Sequence, residues 1–297
     1  MKNLIETTTL KRNWIEGNLF PQCDLFRLKK GTGKELQGKS LYCLFYDPSF
    51  ITRASFQRAM HLLGGQFYQT ENASQSFPVT ETNHIDNVVA ILHSLRMDAV
   101  VIRSNESNVM SEAASANLIP VVSGGGIFDH PTQSLADLYT LHLERGSIDG
   151  AHVAIVGRVE HRNINAWILG LSLFQDITIS VFSLSGAINP EILSLCVERG
   201  VKFREVNSMD EIKSADVVYL NAPRTEAHAN LLKSRGIPTI NINQNFMDSL
   251  HDRAIVMNPI QRSGDFSIDV VDNRLAFYRQ SENALIVRMA VLTDILS

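Results

Sequence analysis

The stretch GAHVAIVG, residues 150–157, is an apolar run closed by a glycine, and it restarts a pattern already present in the first half of the chain. Strand-like runs precede it at SLYCLFY (40–46), DAVVIR (98–103) and IPVV (119–122). Others follow at ITISVFS (177–183), ADVVYLN (215–221) and PTINI (238–242). Most are apolar on both faces, as strands of a parallel sheet covered by helices must be. Between them lie amphipathic patterns. Residues 55–64 put Phe56, Ala59, Met60 and Leu63 on one face, residues 84–95 group Ile85, Val88, Leu92 and Leu95, and residues 163–174 group Ile164, Trp167, Ile168 and Leu171. Spacings of three, four and seven mark helices packed on a core. NPEILSLCVERG (189–200) carries a full set of end signals: Asn189 as N-cap, Pro190 at the first helical position and Gly200 past the end.

Strand and helix alternate throughout, so the class is α/β, built as two doubly wound parallel-sheet domains. Residues 133–146 read as a helix running up to the restart, with ERGSIDGA (144–151) as the turn after it. The expected domains are 1–145 and 146–297. The last amphipathic pattern, ENALIVRMAVLTDIL (282–296), could return to the first domain.

The bulk numbers narrow the function classes. The chain has 297 residues, 44% hydrophobic and 20% charged, with a net charge of −4. No basic field points to nucleic acid or an anionic membrane. No stretch approaches the ~18 apolar residues of a membrane span, and the N-terminus lacks the apolar core of a signal peptide. Cys23, Cys43 and Cys196 have neither metal nor disulfide spacing. The expectation is a protein of the reducing cytoplasm.

Two motifs tempt and fail on context. GKELQGKS (33–40) fits the phosphate-binding expression G-x-x-x-x-G-K-[ST]. That motif follows a buried strand and opens a helix, whereas here charged residues precede it and a strand follows, so it reads as a turn into the first strand. VAIVGRVEHRN (153–163) begins like a dinucleotide-binding unit but has one glycine where the fingerprint needs three. Arg158, His161 and Arg162, at the C-terminal end of a strand, could meet an anionic ligand or form a solvated loop, and the sequence alone favours the loop.

VVSGGGIFDHPTQSLADLYTL (121–141) is more informative. Its glycines let the backbone come close to a neighbour, and His130, Thr132 and Gln133 put donors at a helix N-terminus beside a parallel sheet, where small polar ligands bind. The same residues suit a capped helix with a buried, satisfied histidine, and residue types alone do not choose. Arg103 ends the strand DAVVIR, and Ser49, Thr52 and Arg53 follow the strand ending at Tyr46. Three strand ends therefore carry polar groups that could converge. Phe50 and Ile51, wedged between Ser49 and Thr52, are the misfit.

These stretches together resemble the aspartate/ornithine carbamoyltransferase family, its aspartate branch more closely. HPTQSLADLYTL (130–141) resembles its His-Pro-Thr-Gln segment, and DPSFITRASFQRAMHLLG (47–64) its Ser-Thr-Arg-Thr-Arg segment and following helix. DAVVIRS, VAIVG, ADVVYLNAPRTE and residues 258–292 match in order, so the likeness covers nearly the whole chain. It implies a first domain for carbamoyl phosphate and a second for an amino acid. It also implies a homotrimer with shared active sites, and catalysis by positioning and electrostatics without metal or cofactor. Carried over by resemblance, Arg103, His130 and Thr52 polarise the carbamoyl oxygen. Ser49, Thr132 and Gln133 complete that half, and Ser76 matches a serine on the loop lent by a neighbouring copy.

The departures are heavy. The family's Thr-Arg after the serine is Phe50-Ile51, a pair expected to narrow and dry that half of the site. The lent loop, SQSFPVTE (74–81), has no lysine. Asn163 stands near where an arginine grips the substrate carboxylate, Ala222-Pro223-Arg224 replaces Arg-x-Gln, and Asn258-Pro259-Ile260-Gln261 replaces His-Pro-Leu-Pro. Losing the arginine and lysine on phosphate would cost about 3–6 kcal/mol, counting roughly 1.5–3 for each hydrogen bond to a charged group. That is two to four decades. The expectation is a divergent enzyme that moves a carbamoyl or related acyl group onto an amine and is inefficient on aspartate. The alternative is a catalytically inactive homologue that binds a metabolite or assembles with a partner. Lysis of a ureido compound by the reverse reaction fits the same residues less directly.

Overall fold

The computed structural model describes every residue except 1, 30, 71, 79–83, 222–229, 231, 232, 235, 237–241 and 260–269. Two compact units are present: Met1–Ala136 with Glu282–Ser297, and Asp137–Ser281. The first holds strands β1 (Ser40–Phe45), β2 (Gln66–Thr70), β3 (Ala99–Arg103) and β4 (Val121–Ser123), in the order β2-β1-β3-β4. The second holds β5 (His152–Arg158), β6 (Thr178–Ser185), β7 (Lys202–Glu205), β8 (Val217–Asn221) and β9 (Ile255–Met257), in the order β7-β6-β5-β8-β9. Every pairing is parallel. The protein therefore has the expected α/β class with two parallel-sheet domains.

The periodic patterns become helices at Phe50–Leu62, Ile85–Ser94, Pro131–Arg145, Arg162–Leu171 and Pro190–Glu198. Asn189 caps the last of these by accepting from the Glu191 amide at 2.9 Å. The P-loop-like stretch makes a turn that leads into β1 at Ser40. The expected strand PTINI lies, apart from Ile242, outside the described residues.

Strands β2 and β7 do not stand out in the sequence. Each is an edge strand with one neighbour, and its residues are exposed or half-buried, so it lacks the doubly apolar signature of β1, β3 or β5. The boundary between the two compact units lies inside the helix Pro131–Arg145, at 136/137. The last helix, Phe277–Leu296, enters the first unit from Glu282. Its Arg288, fully buried, donates to Ser55 Oγ at 2.7 Å and lies 5.2 Å from the centre of the Phe56 ring.

Parallel pairing brings the carboxyl ends of β1, β3 and β4 to one edge of the first sheet. Leu41 through Phe45 pair with Ala99 through Arg103, and Ile102 pairs with Ser123. The strand order reverses between β1 and β3, the place where open parallel sheets leave a crevice for ligands.

Candidate functional site

Ser49 has extended backbone (φ −153°, ψ 103°) and precedes the helix Phe50–Leu62. Its side chain does not cap that helix; it donates to Thr52 Oγ1 at 3.0 Å. Thr52 is buried, and its Oγ1 lies 3.5 Å from His130 Nε2. On the other side of the imidazole, Thr132 Oγ1 lies 3.5 Å from Nδ1. His130 and Thr132 are both buried. Gln133, also buried, sits on the first turn of Pro131–Arg145, where its amide donates to the His130 carbonyl at 2.9 Å. Two helix N-termini thus flank one histidine, each offering backbone N–H groups and a partial positive charge.

Arg103 supplies the full charge. Its Nη1 donates to the Gly124 carbonyl at 2.8 Å, and the residue is 4% exposed. Gly125 has φ +119°, and a Cβ built there would stand 2.3 Å from Arg103 Nη1 and 3.2 Å from His130 Cδ2. Only glycine fits, because the guanidinium and the imidazole both press on this backbone. The glycine run is thus what lets a cation, an imidazole and two hydroxyls share one small space. Such a group can hold an oxyanion or a polarised carbonyl oxygen.

Other expected residues are placed differently. Ser76 ends the short helix Ala73–Ser76, is exposed, and has no hydrogen bond to the His130 group among the described residues. Phe50 is 68% exposed in the single chain, so it does not dry the site as its size suggested; it occupies the first helical turn with its ring turned outward. In the second unit, residues 161–163 are not a solvated loop. His161 caps the helix Arg162–Leu171 by accepting from the Asn163 amide at 3.3 Å, and His161, Arg162 and Asn163 are all buried. Arg158 pairs with Glu160 at 3.1 Å. Gly157 has φ +118°, and a Cβ there would stand 2.4 Å from the Asn221 carbonyl oxygen, so the lone glycine serves the β5–β8 contact rather than a dinucleotide. Arg224 and Gln261 lie outside the described residues. Among the described residues no group of three His, Cys, Asp or Glu side chains is arranged to hold a metal.

One partner of the site has no signal in the sequence. Asp129, next to His130, accepts from Thr7 Oγ1 at 2.6 Å, across 122 residues of chain. Burial raises its carboxyl pKa despite the hydrogen bonds from Thr7 and His130.

Comparison with known proteins places the chain in a family. Residues 2–143 match the carbamoyl-P binding domain, and residues 149–295 the Asp/Orn binding domain, of aspartate/ornithine carbamoyltransferase. The chain is 32% identical to chloroplastic aspartate carbamoyltransferase 2 of Pisum sativum, over 98% of this chain and 78% of that protein. It is 31% identical to the aspartate carbamoyltransferase catalytic subunit of Thermoplasma volcanium, over 90% and 88% of the two chains. Aspartate transcarbamoylase from Trypanosoma cruzi, solved with carbamoyl phosphate and aspartate, superposes with a TM-score of 0.88 at 26% identity, covering 100% of this chain and 96% of that one. The catalytic subunit of M. Jannaschii aspartate transcarbamoylase gives 0.86 at 27%, with 99% and 98% covered. With both domains matched in order and the fold shared end to end, the chain belongs to the aspartate/ornithine carbamoyltransferase family.

Proposed function

We propose that this protein is a divergent carbamoyltransferase that moves a carbamoyl or related acyl group onto an amine nucleophile, and that it is inefficient as an aspartate carbamoyltransferase. The observation that carries the first half is the packing of Arg103 and His130 against Gly125, with Thr52 at the imidazole Nε2. In this reading Arg103, His130 and Thr52 donate to the acyl oxygen as the amine attacks and negative charge builds there. Gln133 and Thr132 orient the donor, and Ser49 holds its leaving group. The second half rests on Phe50-Ile51, Asn163 and Ala222, which stand where the family's pattern has anion-binding side chains or a threonine. Asn163, Arg224 and Gln261 would then face the acceptor. We place the protein in the cytoplasm as a homotrimer, with the exposed Ser76 segment reaching a neighbouring copy's site.

Calorimetric titration with carbamoyl phosphate, with inorganic phosphate as control, tests the donor. Micromolar affinity supports it, and silence at millimolar concentration removes carbamoyl phosphate from the reading. Fast, saturable production of carbamoyl aspartate would refute the second half. Once an acceptor is found, His130→Ala is expected to slow turnover by about 10²-fold, the usual cost of an oxyanion donor. The exposed Phe50 favours a second reading: an inactive homologue that assembles with a partner. Absence of turnover in the wild type, with assembly intact in both the wild type and His130→Ala, would favour it too.

A further inference from the structure

The N-terminal segment is built into the first sheet. Leu4 pairs with Val122 in parallel: its amide donates to the Val121 carbonyl at 2.9 Å, and its carbonyl accepts from the Ser123 amide at 2.7 Å. Asn3 Oδ1 accepts from the Val121 amide at 2.9 Å. Three residues on, Thr7 is fully buried and donates twice to Asp129, from its amide to Oδ2 at 2.5 Å and from its hydroxyl to Oδ1 at 2.6 Å. Asp129 Oδ1 also accepts from the His130 amide at 2.7 Å, and the Asp129 carbonyl accepts from Gly126 at 2.8 Å. One carboxylate therefore ties the N-terminal segment to the loop that carries His130.

The ring of His130 meets two hydroxyls. Its contacts with Thr52 and Thr132 are both 3.5 Å, at the outer limit of hydrogen bonding. Short charge-assisted bonds to Asp129 fix the backbone on one side of the imidazole. We propose that Thr7 and Asp129 are positioning residues, a latch through which the N-terminal segment sets the place of His130. Neither belongs to the residues read as touching substrate. The proposal rests on His130 being a site residue, but its test does not need the substrate.

The test uses the full chain labelled with ¹⁵N-histidine, in three variants: Thr7→Val, Thr7→Ser and Asp129→Asn. Thr7→Val keeps the volume and the backbone bond but loses the hydroxyl donor. The His130 ring-nitrogen signals are expected to move in Thr7→Val and Asp129→Asn and to return in Thr7→Ser, while those of His152 and His251 in the second unit stay in place. Exchange of the His130 amide should quicken by about tenfold in Asp129→Asn, as its protecting bond weakens. If His130 keeps wild-type signals and exchange in folded Thr7→Val and Asp129→Asn, the latch does not exist. If Thr7→Ser fails to restore them, the hydroxyl is not its working part. Failure of the carbamoyl-transfer reading would show instead as absent donor binding with these signals still coupled to Thr7.

Discussion

The hydroxyl of Tyr219 donates to Oδ2 of Asp137 at 2.6 Å, and both residues are fully buried in the second unit. Gln280 donates to the other carboxylate oxygen at 2.6 Å and accepts from the Asn258 amide at 2.9 Å. Trp167 stacks on the Tyr219 ring at 5.4 Å. Tyr219→Phe keeps the stack and removes one donor from a buried acid. A loss of roughly 1.5–3 kcal/mol is expected, the range for a hydrogen bond to a charged group. Urea unfolding reads this directly, and an unchanged midpoint would mean that Asp137 finds another donor.

Gly125→Ala is expected to damage the site more than its size suggests. The new methyl would sit 2.3 Å from Arg103 Nη1, at a φ of +119° that L-residues avoid. Strain of about 1–3 kcal/mol is anticipated from the backbone alone, with Arg103 displaced besides. Gly146→Ala is the control: it also has positive φ, but nothing lies within 4 Å. Equal stability in the two variants would show that Arg103 simply moves aside.

Acid should weaken the second unit through His152. Ser180 Oγ accepts from Arg204 Nε at 2.8 Å and lies 2.7 Å from His152 Nε2, while the Ser214 carbonyl at Nδ1 can only accept. That assigns a neutral ring with its hydrogen on Nδ1, facing the Ser214 carbonyl at 3.3 Å. Burial, chiefly, lowers the His152 pKa from its usual value, and Arg204 lowers it further. The folded pKa thus lies below the unfolded one. The stability it contributes is present above about 6.5 and drains away as pH falls through the folded value. Urea midpoints should fall as pH drops below about 6.5 in the wild type and fall less in His152→Asn. A parallel decline in both would assign the acid sensitivity to other groups.

The three thiols should be inert in the native protein. Cys23, Cys43 and Cys196 are fully buried. Burial raises all three pKa values, that of Cys196 to about 11. Thiolate is scarce at neutral pH, so a chromogenic thiol reagent should titrate close to none before denaturant is added and three afterwards. Rapid labelling of one thiol under native conditions would reveal local opening near it.

Much of this was legible in the sequence, and the reason is local. A parallel strand covered on both faces must be apolar at every position, so β1, β3, β5 and β8 announce themselves. Helices that pack one face carry their period in a few residues, and Asn189, Pro190 and Gly200 mark an end without reference to anything distant. The α/β class, the two-sheet plan and the family resemblance follow from such short-range patterns, as does the presence of polar groups just past the ends of β1, β3 and β4.

Tertiary structure decided what short-range patterns cannot encode. β2 and β7 are strands because a neighbour pairs with them, and their own residues are too polar to say so. Gly157 is glycine because Asn221 of a distant strand crosses it, and Gly125 because Arg103 and His130 press on it from two other elements. Phe50 faces outward, which its position between Ser49 and Thr52 did not foretell. Thr7 reaches Asp129 only once the N-terminal segment has joined the sheet beside β4. Composition and period describe a residue and its near neighbours along the chain. Contacts between elements come from the packing of whole sheets and helices, and the geometry around His130 is made of such contacts.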